Sequence, residues 1–398
     1  MDFDVALTRA AFPALRYGVA HFDGPGGTQT PTVVGQAMAQ ALASAMANRG
    51  RTTAAERRAD DIVHAARASM ADLLGVPANG VVFGRSMTQL TFDFARTLAK
   101  QWNLGDEVIV SRLDHDANIR PWVYAAEAAG AVVRWADFDP DTGVLDVSAI
   151  GDLLSERTRV VAVTGASNLL GTRPDIPAIA DAVHAAGALL YVDGVHLTAH
   201  APVDAAQLGA DFYGCSPYKF FGPHMGVLAA DPAQLDQLRP DKLLPATDAV
   251  PERFELGTLA YELLAGLVAT VDFIADLVPV DGDRRHRLLT SMEAVAKHED
   301  ELFVRLMDGL AELEHVTVYG KADHRTPTVL FTVAGRDSAQ VHADLAAQDI
   351  NAPAGSFYAL EACRRLGLGS AGAVRAGLAP YTDATDVDRL IAALSDMA

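Results

Sequence analysis

Lys219 stands in the stretch DFYGCSPYKFFGPHMG, residues 211–226, among aromatic residues, glycines and prolines. An ammonium group loses hydration on burial, so lysine is almost never fully buried unless it is paired. This stretch alone leaves two interpretations of Lys219 open. Its stem could lie on Phe220 and Phe221 while the amine stays in water. Alternatively, burial could keep the amine neutral and make it a nucleophile toward a carbonyl.

Other polar residues that could join this chemistry follow short apolar runs that predict buried strands. They occur in the segments GRSMTQL (84–90), LDHDAN (113–118), ASNLLG (166–171), DGVH (193–196) and SPYK (216–219). Because ligands bind outside the carboxyl ends of parallel strands, we expect these segments to meet at one edge of a sheet. Together the segments supply hydroxyl and backbone donors, an imidazole, an amide, a carboxylate and an amine. A phosphorylated pyridine aldehyde could bind to such a set of groups.

The elements that must position these residues alternate along the chain. Seven apolar runs predict strands, at 81–84, 107–113, 131–138, 159–167, 189–196, 211–216 and 226–230. Alanine-rich stretches with a helical period lie between them, which is typical of a mainly parallel sheet covered by helices. In one of these helices, DIPAIADAVHAAG, Pro174 precedes the first turn and Gly187 follows the last, in the usual start and stop positions.

The pattern changes after about residue 275. A long charged helical segment leads to the strand-like runs VTVYG and TVLFTVAG, a further helix, the run VRAGLA and a final helix. We therefore predict an α/β protein with a large domain at 21–275 and a smaller α+β domain at 276–398, which also takes in residues 1–20. No linker rich in proline and serine separates them, so we expect a broad interface between the domains.

Composition limits the class of protein. The chain has 398 residues, 50% of them hydrophobic, and a formal net charge of -19. This predicts a globular protein of roughly two or three domain-sized units that binds neither nucleic acid nor anionic membranes. Two cysteines and a start without a signal-peptide pattern favour the cytoplasm. The apolar stretch LLAGLVATV is far shorter than the ~20 residues of a membrane span and predicts a buried helix.

The motif YVDGVH…LGADFYGCSPYKFFGP, followed by FELGT and VRAGLAPYTDATDVDRL, resembles the class V pyridoxal-phosphate (PLP) enzymes of fold type I. The similarity is to the cysteine-desulfurase-like branch, which also includes aminotransferases, lyases and an epimerase. It runs in order and spacing from about residue 20 to the C terminus. The resemblance implies pyridoxal 5'-phosphate as the cofactor, an α-amino acid as the substrate, and a homodimer that shares its active sites between subunits.

The resemblance implies roles for three residues that would act on the reacting atoms. Lys219 would form the Schiff base with the cofactor and then carry the proton at the substrate Cα. Asp193 would keep the pyridine nitrogen protonated, which makes the ring an electron sink, and His115 would stack on the ring. Without the resemblance, Asp193 could equally be a helix cap and His115 a structural or surface residue.

The phosphate is expected at a helix N-terminus, bound by Thr88 with the backbone of Met87 and by Ser216. From the residues alone, Thr88 could be an ordinary cap and Ser216 a turn residue. Gly257 and Thr258, in FELGT, match a family segment that reaches the phosphate of the neighbouring subunit. This match is the reason for expecting a homodimer.

Further positions follow from the same resemblance. Asn168 and His196 would lie near the phenolic oxygen of the cofactor, although the family often has glutamine in place of His196. His196 and His200 have helical spacing, but no third ligand follows, so we expect no metal site. Arg375 would bind the substrate α-carboxylate through its planar fork, or else form a surface salt bridge. Gly27, in HFDGPGGTQTP, would line the substrate pocket or form a plain turn.

Two positions depart from the cysteine desulfurases. Tyr218 replaces the histidine that usually precedes the lysine, and Tyr358 falls near the position of the nucleophilic cysteine in the loop APAGSFYALEACRRLG. Cys363 follows in a predicted short helix, where a cysteine is more often inert packing. The sequence therefore favours transamination, β-elimination such as C–S lysis, or racemisation. Cysteine desulfurase proper and a non-catalytic PLP-binding regulatory protein are the alternative hypotheses.

Overall fold

The computed structural model describes residues 3–398. The α-helices in this range are α1 (Val5–Ala10), α2 (Thr32–Ala43), α3 (Ala54–Leu74), α4 (Met87–Ala99), α5 (Arg120–Ala129), α6 (Val147–Gly151), α7 (Ile176–Ala185), α8 (Pro232–Gln237), α9 (Tyr261–Ala275), α10 (Arg284–Ala311), α11 (Ser338–Ala346), α12 (Leu360–Arg365) and α13 (Ala384–Ser395). The strands are β1 (Ala20–His21), β2 (Val81–Gly84), β3 (Glu107–Ser111), β4 (Val132–Ala136), β5 (Thr158–Thr164), β6 (Leu189–Asp193), β7 (Phe212–Cys215), β8 (Gly226–Ala230), β9 (Val316–Tyr319), β10 (Thr328–Val333), β11 (Ile350–Asn351), β12 (Ala354–Gly355) and β13 (Ala373–Gly377).

The seven predicted strands form one sheet, in the order β2-β8-β7-β6-β5-β3-β4. The pairs from β7 to β4 are parallel, whereas β8 runs antiparallel to both β2 and β7. Side chains alternate between two cores because successive residues of a strand point to opposite faces. Val161 and Val163 join the core on one face, and Val160 and Ala162 join the core on the other. The predicted α/β fold with a seven-stranded, mainly parallel sheet is therefore confirmed.

A second sheet occupies the C-terminal part of the chain, in the order β12-β13-β10-β9. All its pairs are antiparallel. Its apolar face packs with α10, α11 and α13 in a separate core that includes Phe331, Leu306, Val341 and Leu390. The smaller C-terminal α+β unit of the prediction is therefore present.

The N-terminal segment joins this smaller unit through a pair of two-residue strands. Ala20 and His21 of β1 pair in parallel with Ile350 and Asn351 of β11. Such short strands carry no periodic signal, and the sequence analysis missed them. We propose that the chain divides into a large domain at 21–275 and a small domain made of 276–398 together with 1–20. Residues 1 and 2 lie outside the described range.

The predicted buried helix is α9. Leu264, Leu267 and Val271 on it are buried, and it packs between α2, α3 and α10. Among residues 3–398, no helix combines the length and the apolar character that a membrane crossing requires.

Candidate active site

The carboxyl ends of β6 and β7 bring the central polar residues together. Asp193 is the last residue of β6 and pairs with Gly214 of β7, and β7 leads through Ser216 into a one-turn 3-10 helix that ends at Lys219. These side chains share one cavity. The predicted site residues that line it are Met87, Thr88, His115, Asn168, Asp193, His196, Ser216 and Lys219.

Lys219 lies in the interior, with only 6% of its surface exposed. Its Nζ donates a hydrogen bond to the carbonyl oxygen of Pro25. Burial, together with the positive charge of Arg375, lowers the pKa of Lys219 to about 7, against an opposing effect of Asp193. The amine is therefore not held in water, which excludes the interpretation in which only the stem of Lys219 is covered. Its neutral form is accessible near pH 7.

Two buried carboxyl groups, those of Asp193 and Asp114, lie at the carboxyl ends of β6 and β3. Burial raises the pKa of Asp193 to about 6, although the N–H of Val195 and the charge of Lys219 both lower it. Asp114 is fully buried, accepts hydrogen bonds from Ser111 at 2.6 Å and Asn118 at 2.7 Å, and has its pKa raised by burial to about 8. Asp193 lines the inner cavity and Asp114 does not, so Asp193 is the carboxylate that a cationic ring nitrogen would meet.

His115 presents a neutral imidazole to the cavity. Its Nδ1 accepts a hydrogen bond from the N–H of Ala117 at 3.0 Å. Burial, followed by the charges of Lys219 and Arg375, lowers the pKa of His115 from 6.5 to about 3. A neutral, apolar ring face of this kind suits stacking on an aromatic cofactor.

A helix N-terminus forms the other end of the cavity. Ser86 caps α4, its Oγ accepting a hydrogen bond from the N–H of Gln89 at 3.1 Å. Met87 and Thr88 begin the first turn, where N–H groups lack an intrahelical acceptor and can bind an anion. The hydroxyl of Ser216, 3% exposed, lies on the same cavity.

Asn168 and His196 each contribute a polar atom that lacks a protein partner. The Nε2 of His196 lies 2.9 Å from the hydroxyl of Thr326 and 3.1 Å from that of Thr328. The Nδ2 of Asn168 donates to the carbonyl of Phe357 at 3.0 Å. Within residues 3–398, no hydrogen bond reaches the buried Nδ1 of His196 or the buried Oδ1 of Asn168.

Arg375 is buried on β13, with 2% of its surface exposed, so it is not a surface ion pair. Its guanidinium lies over the ring of Phe357, 3.8 Å from the ring centroid, and donates to the carbonyl of Asn168 at 2.9 Å. Burial lowers the pKa of Arg375 to about 9, and the charge of Asp23 opposes this. In the described chain its Nε has no hydrogen-bond partner, so donor capacity is left for a ligand.

A larger outer cavity of about 700 Å³ adjoins the first. Tyr218, Tyr358 and Arg375 line it. From the glycine segment, Gly26 lines the cavity and the predicted Gly27 does not, although an ideal Cβ on Gly27 would lie 3.2 Å from the Tyr218 ring. Tyr358 is 75% exposed at its rim. Cys363 is fully buried on α12, and burial raises the pKa of its thiol to about 11.

The structure does not place Gly257 or Thr258 beside Lys219 in the same chain. Thr258 lines a different cavity, next to Phe83 and Leu256. The preceding Glu255 is anchored by buried Arg67, whose two terminal nitrogens lie 2.9 and 2.8 Å from the carboxylate oxygens. A contact of this segment with the phosphate of a second subunit stays a prediction.

Sequence reasoning missed several residues of the site. Pro25 and Asp23 belong to the quoted segment HFDGPGG, but only the fold shows that they face Lys219 and Arg375. Phe357 directly precedes Tyr358, and Asp114 directly precedes His115. In both cases the available signal in the sequence was that the residue stands next to a predicted site residue.

The donor set fits pyridoxal 5'-phosphate. The cavity offers anion-binding N–H groups at one end, a buried carboxylate and a neutral ring along its wall, and an amine with a lowered pKa. The unpartnered atoms of Asn168 and His196 are hydrogen-bonding sites for a polar substituent. Fold and site thus define a PLP-dependent enzyme.

Comparison with known proteins agrees with this class. The profile of the family Aminotransferase class-V matches residues 20–390. The chain is 32% identical to the aminotransferase-like protein FGM3 of Gibberella zeae, over 99% of this chain and 98% of that protein. It is also 32% identical to a probable cysteine desulfurase of Pseudomonas aeruginosa, over 97% and 96% of the two chains. The chain therefore belongs to the class-V aminotransferase family, whose members use PLP.

A solved structure supports the same assignment of the fold. The cysteine desulfurase CsdA from Escherichia coli is 28% identical and superimposes with a TM-score of 0.87, over 99% of this chain and 98% of that chain. The similarity extends over both sheets of the molecule.

Proposed function

We propose that the protein acts on the Cα proton of an α-amino acid, in transamination or in β-elimination such as C–S lysis. The observation that carries this proposal is the convergence of a buried amine, a buried carboxylate and a buried guanidinium. Lys219 and Asp193 line the inner cavity, and Lys219 and Arg375 line the outer one. Such a set can hold a cofactor at one end and the α-carboxylate of an amino acid at the other.

The cofactor would be held by residues of the inner cavity. Lys219 would bind it covalently through its amine, the first turn of α4 and Ser216 would bind its phosphate, and Asp193 would bind its ring nitrogen. His115 would cover one ring face. When bound, PLP supplies an electron-accepting ring that stabilises negative charge at the substrate Cα.

The chain's own residues would then orient the amino acid and move its proton. Arg375 would bind the α-carboxylate, with its fork aligned by the carbonyl of Asn168 and the ring of Phe357. Lys219 would take the proton from Cα. It would then give the proton to the acceptor carbon in transamination, or to the departing sulfur when the Cβ–S bond breaks in β-elimination. A pKa of about 7 suits that task, because a group that titrates near the working pH both accepts and donates protons readily.

The state of the cysteines supports this chemistry over persulfide formation. A nucleophilic cysteine needs an exposed and stabilised thiolate. Cys363 is buried with a raised pKa, and Tyr358, near the position of the nucleophilic cysteine of the desulfurases, is exposed. Desulfuration, the activity named for several relatives, is the competing outcome of the tests below.

We also propose a homodimer. Its support is three exposed leucines in residues 243–256, the part of the chain that leads into FELGT: Leu243, Leu244 and Leu256 are 70%, 99% and 56% exposed. Sedimentation of the holoenzyme should give twice the chain mass of 42.1 kDa. A species of single-chain mass would contradict this assembly.

The covalent site is tested by borohydride reduction of the holoenzyme, followed by peptide mass mapping. The cofactor mass should appear on the peptide that contains Lys219 and should be absent from Lys219→Ala. A modified peptide elsewhere, or none, would refute the proposal.

The reaction is tested by product analysis with a panel of amino acids. Exchange of the amino group with a keto acid identifies transamination, and release of pyruvate and ammonia from cysteine conjugates identifies β-elimination. Cys363→Ser should leave either activity unchanged. Formation of alanine from cysteine that is lost in Cys363→Ser would instead identify a desulfurase. No spectral change with any amino acid would favour a non-catalytic protein.

A further inference from the structure

Aromatic side chains gather at the rim of the outer cavity. Phe92 of α4 and Tyr124 of α5 stack with their ring centroids 6.4 Å apart and an angle of 20° between the ring planes. Tyr358 adds a third ring, whose centroid lies 5.4 Å from that of His115. Tyr124 is 55% exposed and Tyr358 is 75% exposed, although both line the cavity. Ring faces are therefore available to a ligand.

The volume of this cavity exceeds what a small side chain needs. It measures about 700 Å³, and its lining runs from Lys219 and Arg375 to Phe92 and Tyr124. The cofactor would fill part of this volume, because Thr88 and His115 line both cavities. Cavities of ~300–1,000 Å³ bind ligands of drug size. A side chain as small as that of alanine or cysteine would leave the aromatic rim without contact.

The other charged residues of the outer cavity are already paired within the chain. Arg120 Nε lies 2.9 Å from the Oδ1 of Asp116, and its Nη2 bonds to Glu361. These pairs leave neither a free cation for a side-chain carboxylate nor a free carboxylate for a side-chain amine. Among the described residues, Arg375 is the guanidinium of this cavity that has no carboxylate within ion-pair distance, and the α-carboxylate would use it.

We infer that the outer cavity selects α-amino acids with a large aromatic side chain, which would pack against Phe92, Tyr124 and Tyr358. The inference rests on the proposed function, because it assumes that Arg375 holds the α-carboxylate and that Lys219 faces Cα. Charged side chains are disfavoured, since they would lose hydration without gaining a partner. An aromatic contact contributes about a 2- to 10-fold gain in affinity per ring.

The test measures binding without turnover. Amino acids that carry a methyl group in place of the Cα proton cannot react there, so their dissociation constants report recognition alone. The holoenzyme is titrated by calorimetry with α-methylphenylalanine, α-methylaspartate and 2-aminoisobutyrate. The aromatic probe should bind at least about 10-fold more tightly than either of the others. Equal affinities, or a preference for α-methylaspartate, would overturn the inference.

Variants at the rim locate the effect. Phe92→Ala and Tyr124→Ala should each weaken α-methylphenylalanine binding about 2- to 10-fold and leave 2-aminoisobutyrate binding unchanged. Tyr17→Ala is the matched control, because Tyr17 is 84% exposed and does not line the cavity. Equal losses for both probes, or a loss in Tyr17→Ala, would contradict selection by the rim.

Failure of this inference is distinguishable from failure of the proposed function. Reduced cofactor found on Lys219, combined with no preference for the aromatic probe, refutes the aromatic selection alone. Cofactor found elsewhere refutes the proposed function itself.

Discussion

Replacing Gly226 with alanine should disturb the phosphate end of the site through a backbone clash. Gly226 begins β8 and pairs with Gly84 of β2. An ideal Cβ at this position would lie 2.2 Å from the carbonyl carbon of Ser86 and 2.4 Å from the nitrogen of Met87. Ordinary contacts begin at 3.4 Å, so the start of α4 must move by about 1 Å.

The expected magnitude follows from this displacement. Overpacking of a core typically costs about 1–3 kcal/mol, so Gly226→Ala should lower the free energy of unfolding by that amount. A misplacement of about 1 Å can reduce the effectiveness of a positioned group about 100-fold. Because Met87 and Thr88 begin the displaced helix, we expect PLP binding to weaken by about 10- to 100-fold.

Two measurements on the apo-protein separate these effects: absorbance titration gives the dissociation constant of PLP, and urea unfolding gives the stability. Gly35→Ala is the matched control, because Gly35 lies inside α2 with no atom within 4 Å of its ideal Cβ. That substitution should stabilise the protein by about 1 kcal/mol and leave PLP binding unchanged. A folded Gly226→Ala protein that binds PLP with unchanged affinity would refute the assignment of the phosphate to α4.

Two further predictions concern buried charges. Only a neutral amine attacks an aldehyde, and Lys219 has a pKa of about 7. The rate of PLP uptake by the apo-protein should therefore rise with pH and reach half its maximum near pH 7, as measured by stopped-flow absorbance. A midpoint at about pH 10 would instead indicate an exposed lysine. Arg67→Met should lower the free energy of unfolding by about 3–5 kcal/mol, because it strands the buried carboxylate of Glu255. Adding Glu255→Leu should recover most of this loss in urea melts, and a double variant no more stable than Arg67→Met would contradict the pairing.

Much of the fold could be predicted because the signals are local. Each strand of the seven-stranded sheet is mainly apolar, and the helices between them have a clear period. The rule that ligands bind at the carboxyl ends of parallel strands then places Asp193, Ser216 and Lys219 at one edge. The structure brings these residues to one cavity, as that reasoning expects.

What could not be predicted depends on contacts between distant segments. The bond from Lys219 to Pro25 joins residues 194 positions apart, and the bond from Arg375 to the carbonyl of Asn168 joins the smaller unit to the larger one. No spacing in the sequence encodes such a contact, since it is set by how distant segments of the chain pack against each other. The same holds for His196, whose partner Thr326 comes from the smaller unit.

The pairing of β1 with β11 sets an order of assembly during synthesis. All strands of the seven-stranded sheet precede residue 231, so they can pair while the rest of the chain is still being made. Ala20 must wait for Ile350, its neighbour in the sheet. At about 5–20 residues per second, this delay is on the order of tens of seconds. Arg375 lies beyond Ile350 in the chain, so the guanidinium proposed to hold the amino acid is synthesised last, well after Asp193 and Lys219.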